Sequence, residues 1–188
     1  MHRGGSAAYP HEAADAPGGP AQTERIAAGH RSGVPARTIC IAADDFGLHG
    51  GINAAVLHLA AMGRVQAIGC MVGAPAWAAG APNLRALDPH RVDLGLHLDL
   101  CEHPMRPPGR RLDTLLAAGL LRQLDRHALR AEIRAQLDTF EQTLGRPPAF
   151  IDGHRHVHQL PGVREELLDE LAQRRGPLQP WLRCTRRP

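Results

Sequence analysis

Residues 38–47 read TICIAADDFG, and this stretch decides the fold class. Its first six residues form an apolar run without polar alternation, which is typical of a parallel β-strand covered on both faces. The run ends in the acidic tetrapeptide DDFG at 44–47. Because parallel sheets carry functional side chains at the carboxyl ends of their strands, the sequence predicts a strand over 38–43 with two aspartates at the functional edge.

Strand-like and helix-like segments alternate along the rest of the sequence. Short apolar runs predict four more strands, over 65–72, 91–100, 149–152 and from 181 onward. Apolar residues at helical spacing predict five helices, over 50–62, 75–87, 112–124, 129–144 and 163–171. Strands that alternate with helices form βαβ units, so the predicted fold class is α/β with a parallel sheet.

The length and composition fit a single globular domain. At 188 residues and 43% hydrophobic content, the chain can bury one sizeable core. No run approaches the ~18 apolar residues of a membrane span. The N-terminus lacks the basic and apolar segments of a secretion signal. We therefore expect a cytoplasmic protein without a membrane span.

The basic residues narrow the classes of function. All 22 are arginine, and the absence of lysine excludes Schiff-base chemistry and a phosphate-binding loop built on lysine. Aromatic residues make up only 3% of the sequence, too few for the stacking surfaces that bind single-stranded nucleic acids. The arginines are scattered instead of clustered, so we expect no nucleic-acid partner.

Two regions of different character divide the sequence. Residues 1–36 are rich in Gly, Ala, Pro and His with almost no large apolar side chains, and we expect a disordered leader there. Residues 37–188 carry all the predicted strands. A closed (β/α)₈ barrel takes ~250 residues, so we expect an incomplete barrel of about five strands. Its open edge predicts either a longer parent protein or a partner, such as a second copy in a homo-oligomer.

A histidine-rich stretch follows the fourth predicted strand. Residues 152–158 read DGHRHVH, with Asp152, His154, His156 and His158 at every second position. In an extended backbone, side chains at alternate positions share one side, so all four would converge. Four convergent ligands are costly to desolvate unless a metal or a reaction uses them. A solvated histidine loop is the alternative.

Candidate ligands follow three of the predicted strands: Asp44 and Asp45 after the first, His97 in the third and His154 after the fourth. One aspartate and two histidines make a three-ligand site with open positions for water and substrate, as catalytic metal sites do. One aspartate would bind the ion while the other takes a proton from water, and a further histidine would return a proton to the leaving group. The alternative for the aspartates is that they cap the helix that follows.

Three motifs together resemble the YdjC-like carbohydrate deacetylases. They are IAADDFGLHGGIN (41–53), GLHLDL (95–100) and EIRAQLDTFEQTLGRPPAFIDGHRHVHQLP (132–161), in matching order. The resemblance runs from residue 38 to the end of the sequence. It implies a polysaccharide-deacetylase-like, irregular (β/α) barrel. It also implies a hydrolase that removes N-acetyl groups from amino sugars or oligosaccharides with a divalent metal ion.

The metal ligands implied by the resemblance are Asp45, His97 and His154. The family points to magnesium. Ligand chemistry points elsewhere, because two imidazoles favour zinc, iron or cobalt over a hard, oxygen-seeking ion. The expected cofactor is therefore a divalent metal ion whose identity stays open.

The resemblance also implies catalytic roles. Asp44 corresponds to the catalytic base of the wider deacetylase group. His156 and His158 are the two candidates for the catalytic acid. Asp152 would orient a histidine from outside the ligand shell. In the implied mechanism, an activated water attacks the acetamide carbonyl and the amine departs protonated.

Two departures from the family pattern affect what the resemblance supports. Ala42 stands where the family usually has asparagine, and Cys-Glu-His at 101–103 replaces the usual Thr-x-Gly in a loop expected to contact substrate. Members of the family also continue beyond the point where this sequence ends. Two alternatives therefore stand beside the deacetylase: another metal-dependent hydrolase on the same barrel, acting on a phosphoester or cyclic amide, and an inactive remnant that binds metal or sugar.

Overall fold

The described part of the chain folds around one parallel β-sheet. A computed structural model describes residues 39–106, 109–174 and 179–185. The five strands are β1 (Ala42–Phe46), β2 (Ala67–Cys70), β3 (Asp93–Leu98), β4 (Phe150–Gly153) and β5 (Trp181–Leu182). They lie side by side in the order β1-β2-β3-β4-β5, and every pairing is parallel. This consecutive order is the one on which (β/α) barrels are built, and it confirms the predicted α/β class. The predicted leader, 1–36, lies outside the described residues.

Helices connect the strands. They are α1 (Gly50–Ala61), α2 (Trp77–Arg85), α3 (Leu112–Leu120), α4 (Arg126–Leu144) and α5 (Val163–Gln173). The ends of α4 follow from its sequence: the Asp125 side chain accepts a hydrogen bond from Ala128 N at 3.0 Å, and Gly145 ends the helix at φ 70°. Glycine takes that left-handed conformation without the steric cost that a Cβ imposes. No helix in the described ranges is long and apolar enough to cross a membrane.

The core lies between the sheet and its helices, with α4 as its main support. The apolar stripe of α4 is completely buried at Leu129, Ile133, Leu137 and Phe140. The Phe140 ring stacks on Trp77 of α2, with centroids 6.4 Å apart and an interplanar angle of 18°. This packing fixes the sheet on one side, so that the carboxyl ends of the strands form a stable edge.

The first strand begins later than the sequence predicts. Instead of 38–43, β1 covers Ala42–Phe46 and includes both aspartates. Ala43 lies opposite Ile68 and Phe46 lies opposite Cys70, so β1 has one more residue than β2 between these two points. The extra residue is a β-bulge, which re-aims side chains that would otherwise alternate between faces. Asp45, one of the two residues between these points, has a left-handed backbone at φ 63°.

The expected extended backbone over 152–158 is wrong. Strand β4 ends at Gly153, and a 3₁₀ helix, His154–Gln159, follows it directly. Arg155 and His156 adopt left-handed conformations, with φ 52° and 59°. The chain therefore turns sharply, and the aspartate and three histidines do not share one face. Two of them are buried, Asp152 and His158, whereas His156 is exposed.

Helix α1 has its own N-terminal cap. His49 Nδ1 accepts a hydrogen bond from the backbone N–H of Gly51 at 3.0 Å. The alternative that Asp44 and Asp45 cap this helix is therefore wrong. Both carboxylates lie at the edge of the sheet instead.

Candidate metal and acid–base site

The carboxyl ends of β1, β3 and β4 bring the predicted site residues together. His97 and Asp152 lie directly opposite each other on β3 and β4. The neighbouring strand β2 has a glycine, Gly69, beside this pair. A Cβ at Gly69 would lie 3.3 Å from His97 Nδ1 and 3.5 Å from Asp152 Oδ1. The missing side chain leaves the space that the His97–Asp152 pair occupies.

His97 is held between two carboxylates. Its Nδ1 donates a hydrogen bond to Asp152 Oδ1 at 2.7 Å, and its Nε2 lies 3.3 Å from Asp45 Oδ1. The ring is buried, with 6% of the side chain exposed. A neutral imidazole carries one proton, so one of its nitrogens must point a lone pair at a carboxylate oxygen. Either a second proton or a cation beside Nε2 relieves that repulsion.

His154 repeats this arrangement from the start of the 3₁₀ helix. Its Nδ1 lies 3.0 Å from the same oxygen, Asp45 Oδ1, and its Nε2 lies 3.2 Å from Glu102 Oε1. Nε2 is buried and makes no hydrogen bond of good geometry within the described part of the chain. The two histidine rings meet edge to face, with centroids 5.6 Å apart. One nitrogen from each ring thus faces a single carboxylate oxygen.

The charges at the site shift the pKa values of its two most buried members. Burial of His97 favours its neutral form, but the hydrogen bond to Asp152 and the charges of Asp152, Asp44 and Asp45 outweigh burial, so the pKa of His97 is raised above 6.5. Burial alone would raise the pKa of Asp152, yet His97 and Arg183 hold it below its usual 3.8. Proton and cation therefore compete for the same place beside His97.

Two groups of side chains in the described residues have the spacing of a metal site, and they share His97. One is Asp45, His97 and His154; the other is Asp44, His97 and Asp152, with the ligand atoms of each group within 4.8 Å of one another. A positively charged guanidinium already bridges the two aspartates of the second group. The first group has no such cation among the described contacts, and its oxygen and two nitrogens fit a divalent ion of the zinc, iron or cobalt type.

That guanidinium belongs to Arg183, which no motif in the sequence singled out. Its Nη1 donates to both oxygens of Asp44 and to Asp152 Oδ2, all at 2.8 Å. Arg183 follows β5 directly, so the rule that placed the other candidates at strand ends would have found it. It fixes the position of Asp44 relative to His97 and its partner.

The two candidates for the catalytic acid lie in different surroundings. His158 is buried, and its Nε2 donates to the backbone carbonyl of Arg183 at 2.9 Å. Its Nδ1 is buried without a hydrogen-bond partner among the described residues. Burial lowers the pKa of His158, although the bond to the Arg183 carbonyl opposes this. His156 is exposed. Within the described ranges, its side chain makes none of the contacts that link the aspartates and histidines of the site.

Comparisons with known proteins identify the family of this chain. The family model for YdjC-like proteins matches residues 38–188. The carbohydrate deacetylase of Homo sapiens is 31% identical over an alignment of 154 residues, and the match covers 73% of this chain and 46% of the human protein. The chitooligosaccharide deacetylase of Proteus mirabilis is 30% identical over 151 residues, covering 75% of this chain and 57% of that protein. The chain thus spans about half the length of these curated relatives.

A solved structure shares the fold. The protein, from Enterococcus faecalis V583, is described as a candidate cellobiose-phosphate cleavage protein. It superimposes with a TM-score of 0.60 at 21% identity, over 74% of this chain and 57% of the other. The likeness supports the arrangement of strands and helices.

Proposed function

The chain belongs to the YdjC-like protein family, and from that premise we propose that its site removes N-acetyl groups from amino sugars with the help of a divalent metal ion. The observation that carries the proposal is the convergence of two histidine nitrogens on one oxygen of Asp45, at 3.3 and 3.0 Å. Without a cation or extra protons, this arrangement sets nitrogen lone pairs against a carboxylate. A divalent ion held by Asp45, His97 and His154 would relieve this repulsion.

The residues that hold the ion are Asp45, His97 and His154, through Oδ1, Nε2 and Nδ1. An ion bound there would supply Lewis acidity, which acidifies a water and polarises an amide carbonyl. Two imidazoles in the donor set favour zinc, cobalt or iron over magnesium. Asp152 supports the arrangement by holding the proton of His97 on Nδ1, which leaves the Nε2 lone pair for the ion.

Asp44 is the proposed general base. It is half-exposed, and Arg183 fixes both of its oxygens, so the carboxylate has a defined direction at the mouth of the site. An aspartate next to the site can accept the proton of the attacking water. Arg183 acts on this step by positioning Asp44, and it also neutralises one of the two negative charges that the base and Asp152 bring together.

A histidine returns the proton to the departing amine in this proposal, and the two candidates differ in how they could do so. The buried His158 has its Nε2 proton committed to the Arg183 carbonyl, so only Nδ1 could exchange a proton. The exposed His156 exchanges protons with solvent freely, but it would have to move toward the site. Separate His156→Ala and His158→Ala variants distinguish them, because loss of the acid lowers kcat without removing the metal.

The substrate proposal follows the relatives, whose names give carbohydrate and chitooligosaccharide deacetylation. The test is acetate release from N-acetylglucosamine oligomers by the full chain, with zinc, cobalt, iron(II) or magnesium added in turn. Wild-type protein should release acetate, and Asp45→Ala and His154→Ala should release none while losing bound metal. A matched control is Asp88→Ala, an exposed aspartate ahead of β3 whose loss should change neither quantity.

The same assay separates the alternatives. Cleavage of generic phosphoesters or cyclic amides without acetate release would assign the site to another metal-dependent hydrolysis. Stoichiometric metal binding without turnover of any of these substrates would identify a binding remnant. If wild-type protein and both alanine variants bind equal amounts of metal, the proposed site is wrong.

A further inference from the structure

We propose that Glu102 is a positioning residue that orients His154, so that His154 presents Nδ1 to the metal site. This inference rests on the proposed function, because it assigns a task to Glu102 only if a cation binds beside Asp45. It concerns a side chain in the loop after β3, where the sequence departs from the family pattern.

The geometry that carries the inference is the parallel between the two histidines. Each ring has one nitrogen beside Asp45 Oδ1 and the other beside an outer carboxylate. For His97 the outer carboxylate is Asp152, at 2.7 Å; for His154 it is Glu102, at 3.2 Å. Metal-binding histidines generally donate their second N–H to such a carboxylate, which fixes the tautomer and the direction of the ring.

The buried Nε2 atom of His154 needs this partner. It is shielded from solvent, and Glu102 Oε1 is the carboxylate oxygen nearest to it among the described contacts. Burying an N–H without an acceptor is costly, so a nearby carboxylate oxygen stabilises it. Glu102 Oε1, at 3.2 Å, is close enough to accept a hydrogen bond from His154 Nε2–H, the tautomer that leaves the Nδ1 lone pair for a cation.

The loop that carries Glu102 is firmly held. The buried Asp99 carboxylate accepts hydrogen bonds from three successive backbone N–H groups, those of Cys101, Glu102 and His103. The loop also packs closely on Gly73, where a Cβ would lie 2.0 Å from the His103 carbonyl oxygen. The backbone of Glu102 is thus fixed relative to β3, and only its side chain can move.

Arg155 holds the Glu102 carboxylate from the other side. Its Nη2 and Nε donate to Glu102 Oε1 at 2.6 and 3.0 Å. These two hydrogen bonds hold the carboxylate in place beside His154. Arg155 has a left-handed backbone, and its side chain reaches the loop after β3 at Glu102. Glu102 therefore stays an acceptor for a histidine N–H.

Two variants separate the hydrogen bond from the charge. Glu102→Gln removes the charge and keeps an acceptor oxygen, whereas Glu102→Ala removes both. Glu141→Ala is the matched control, because Glu141 is equally exposed at 36% and also pairs with an arginine, Arg174, at 3.0 Å. Zinc affinity is measured by calorimetry on metal-free protein, and thermal unfolding without metal reports on the fold.

We expect Glu102→Ala to weaken zinc binding by about 10- to 100-fold, the effect usual for a carboxylate behind a metal-binding histidine. Glu102→Gln should recover a large part of that loss, and Glu141→Ala should bind zinc like wild type. In the zinc-loaded protein, the downfield proton NMR signal of His154 Nε2–H should be present in wild type and Glu102→Gln and absent in Glu102→Ala.

The outcomes distinguish this inference from the proposed function. If wild-type protein binds no divalent metal, or binds it equally well after His154→Ala, the proposed function itself fails. If His154→Ala abolishes binding but Glu102→Ala and Glu102→Gln bind alike and the Nε2–H signal persists in both, Glu102 does not position His154. Equal unfolding temperatures without metal would exclude a general loss of structure as the cause.

Discussion

Replacing Asp152 by asparagine tests the pairing on which the site is built. Asp152 is 1% exposed and serves two partners at once, His97 through Oδ1 and Arg183 through Oδ2. Asparagine has the same shape but only one acceptor oxygen, so it can serve His97 or Arg183 but not both. The substitution therefore removes the charge and one hydrogen bond without opening a cavity.

The expected size of the effect follows from these contacts. A carboxylate behind a metal-binding histidine is worth about 10- to 100-fold in metal affinity, or about 1.4–2.7 kcal/mol. In wild type the pKa of His97 is above 6.5 because Asp152 and the neighbouring carboxylates outweigh burial. The Asp152→Asn variant loses the main interaction that opposes burial, so the pKa of His97 should fall below 6.5.

The assay is zinc calorimetry between pH 5.5 and 8, with an NMR titration of His97 in metal-free protein. At pH 8 the variant should bind zinc about 10- to 100-fold more weakly than wild type. The difference in zinc affinity between variant and wild type should narrow as the pH falls, because wild-type His97 then carries a proton that zinc must displace. Asp88→Asn serves as the control, since the Asp88 side chain accepts a hydrogen bond from His90 N in an exposed turn and asparagine can accept the same bond.

The pH dependence of stability in the metal-free protein gives an independent test of the same pairing. The raised pKa of His97 means that its contribution is complete below 6.5 and is lost as the pH rises through the folded-state value. The lowered pKa of Asp152 means that its contribution is complete above 3.8 and is lost as the pH falls through the folded-state value. The free energy of unfolding of wild type should therefore exceed that of Asp152→Asn by the largest amount between pH 3.8 and 6.5. The reasoning would be refuted if this difference in unfolding free energy were the same within and above that pH range and zinc affinity were unchanged.

Three other substitutions probe the support of the site. Gly69→Ala should weaken zinc binding several-fold and destabilise the protein by about 1–3 kcal/mol, because its Cβ would lie 3.3 Å from His97 Nδ1. Unchanged affinity in calorimetry would contradict this. Arg183→Leu should destabilise metal-free protein by about 1–3 kcal/mol in urea unfolding, because the buried Asp152 Oδ2 loses its partner; an unchanged midpoint would argue against the bridge. Leu137→Ala should lower the free energy of unfolding by about 2–5 kcal/mol in the same experiment, because Leu137 is completely buried in the core. A loss under about 1 kcal/mol would contradict its place in the core.

The fold class could be predicted from the sequence because local and global signals agree. The apolar spacing of Leu129, Ile133, Leu137 and Phe140 is helical, and a glycine ends the helix where the sequence indicates. The consecutive parallel strands follow from the alternation of strands and helices. The site prediction depended on a geometric rule, that ligands gather at the carboxyl ends of parallel strands.

The errors lie where the backbone is unusual. A left-handed Asp45 lies in the bulge of β1, and left-handed Arg155 and His156 turn the chain after β4. A left-handed conformation costs energy for residues other than glycine, and the surrounding structure holds these residues in it. The sequence therefore carries no local signal for this conformation. An extended backbone was therefore the natural expectation for 152–158, and it placed His156 on the wrong side.

Two residues that no motif singled out, Arg183 and Glu102, are linked to the site by long-range contacts. Arg183 meets Asp44 across 139 positions of sequence, and Glu102 meets Arg155 across 53. Neither belongs to a motif with a fixed spacing. Only the order and pairing of the strands brings these side chains within reach of the aspartates and histidines.

The central claim is that Asp45, His97 and His154 together bind one divalent cation. Anomalous diffraction from crystals of the full chain soaked in zinc tests it most directly. The account predicts a single strong peak about 2.0–2.2 Å from Asp45 Oδ1, His97 Nε2 and His154 Nδ1. A peak between Asp44 and Asp152, or no zinc at the strand ends, would contradict it.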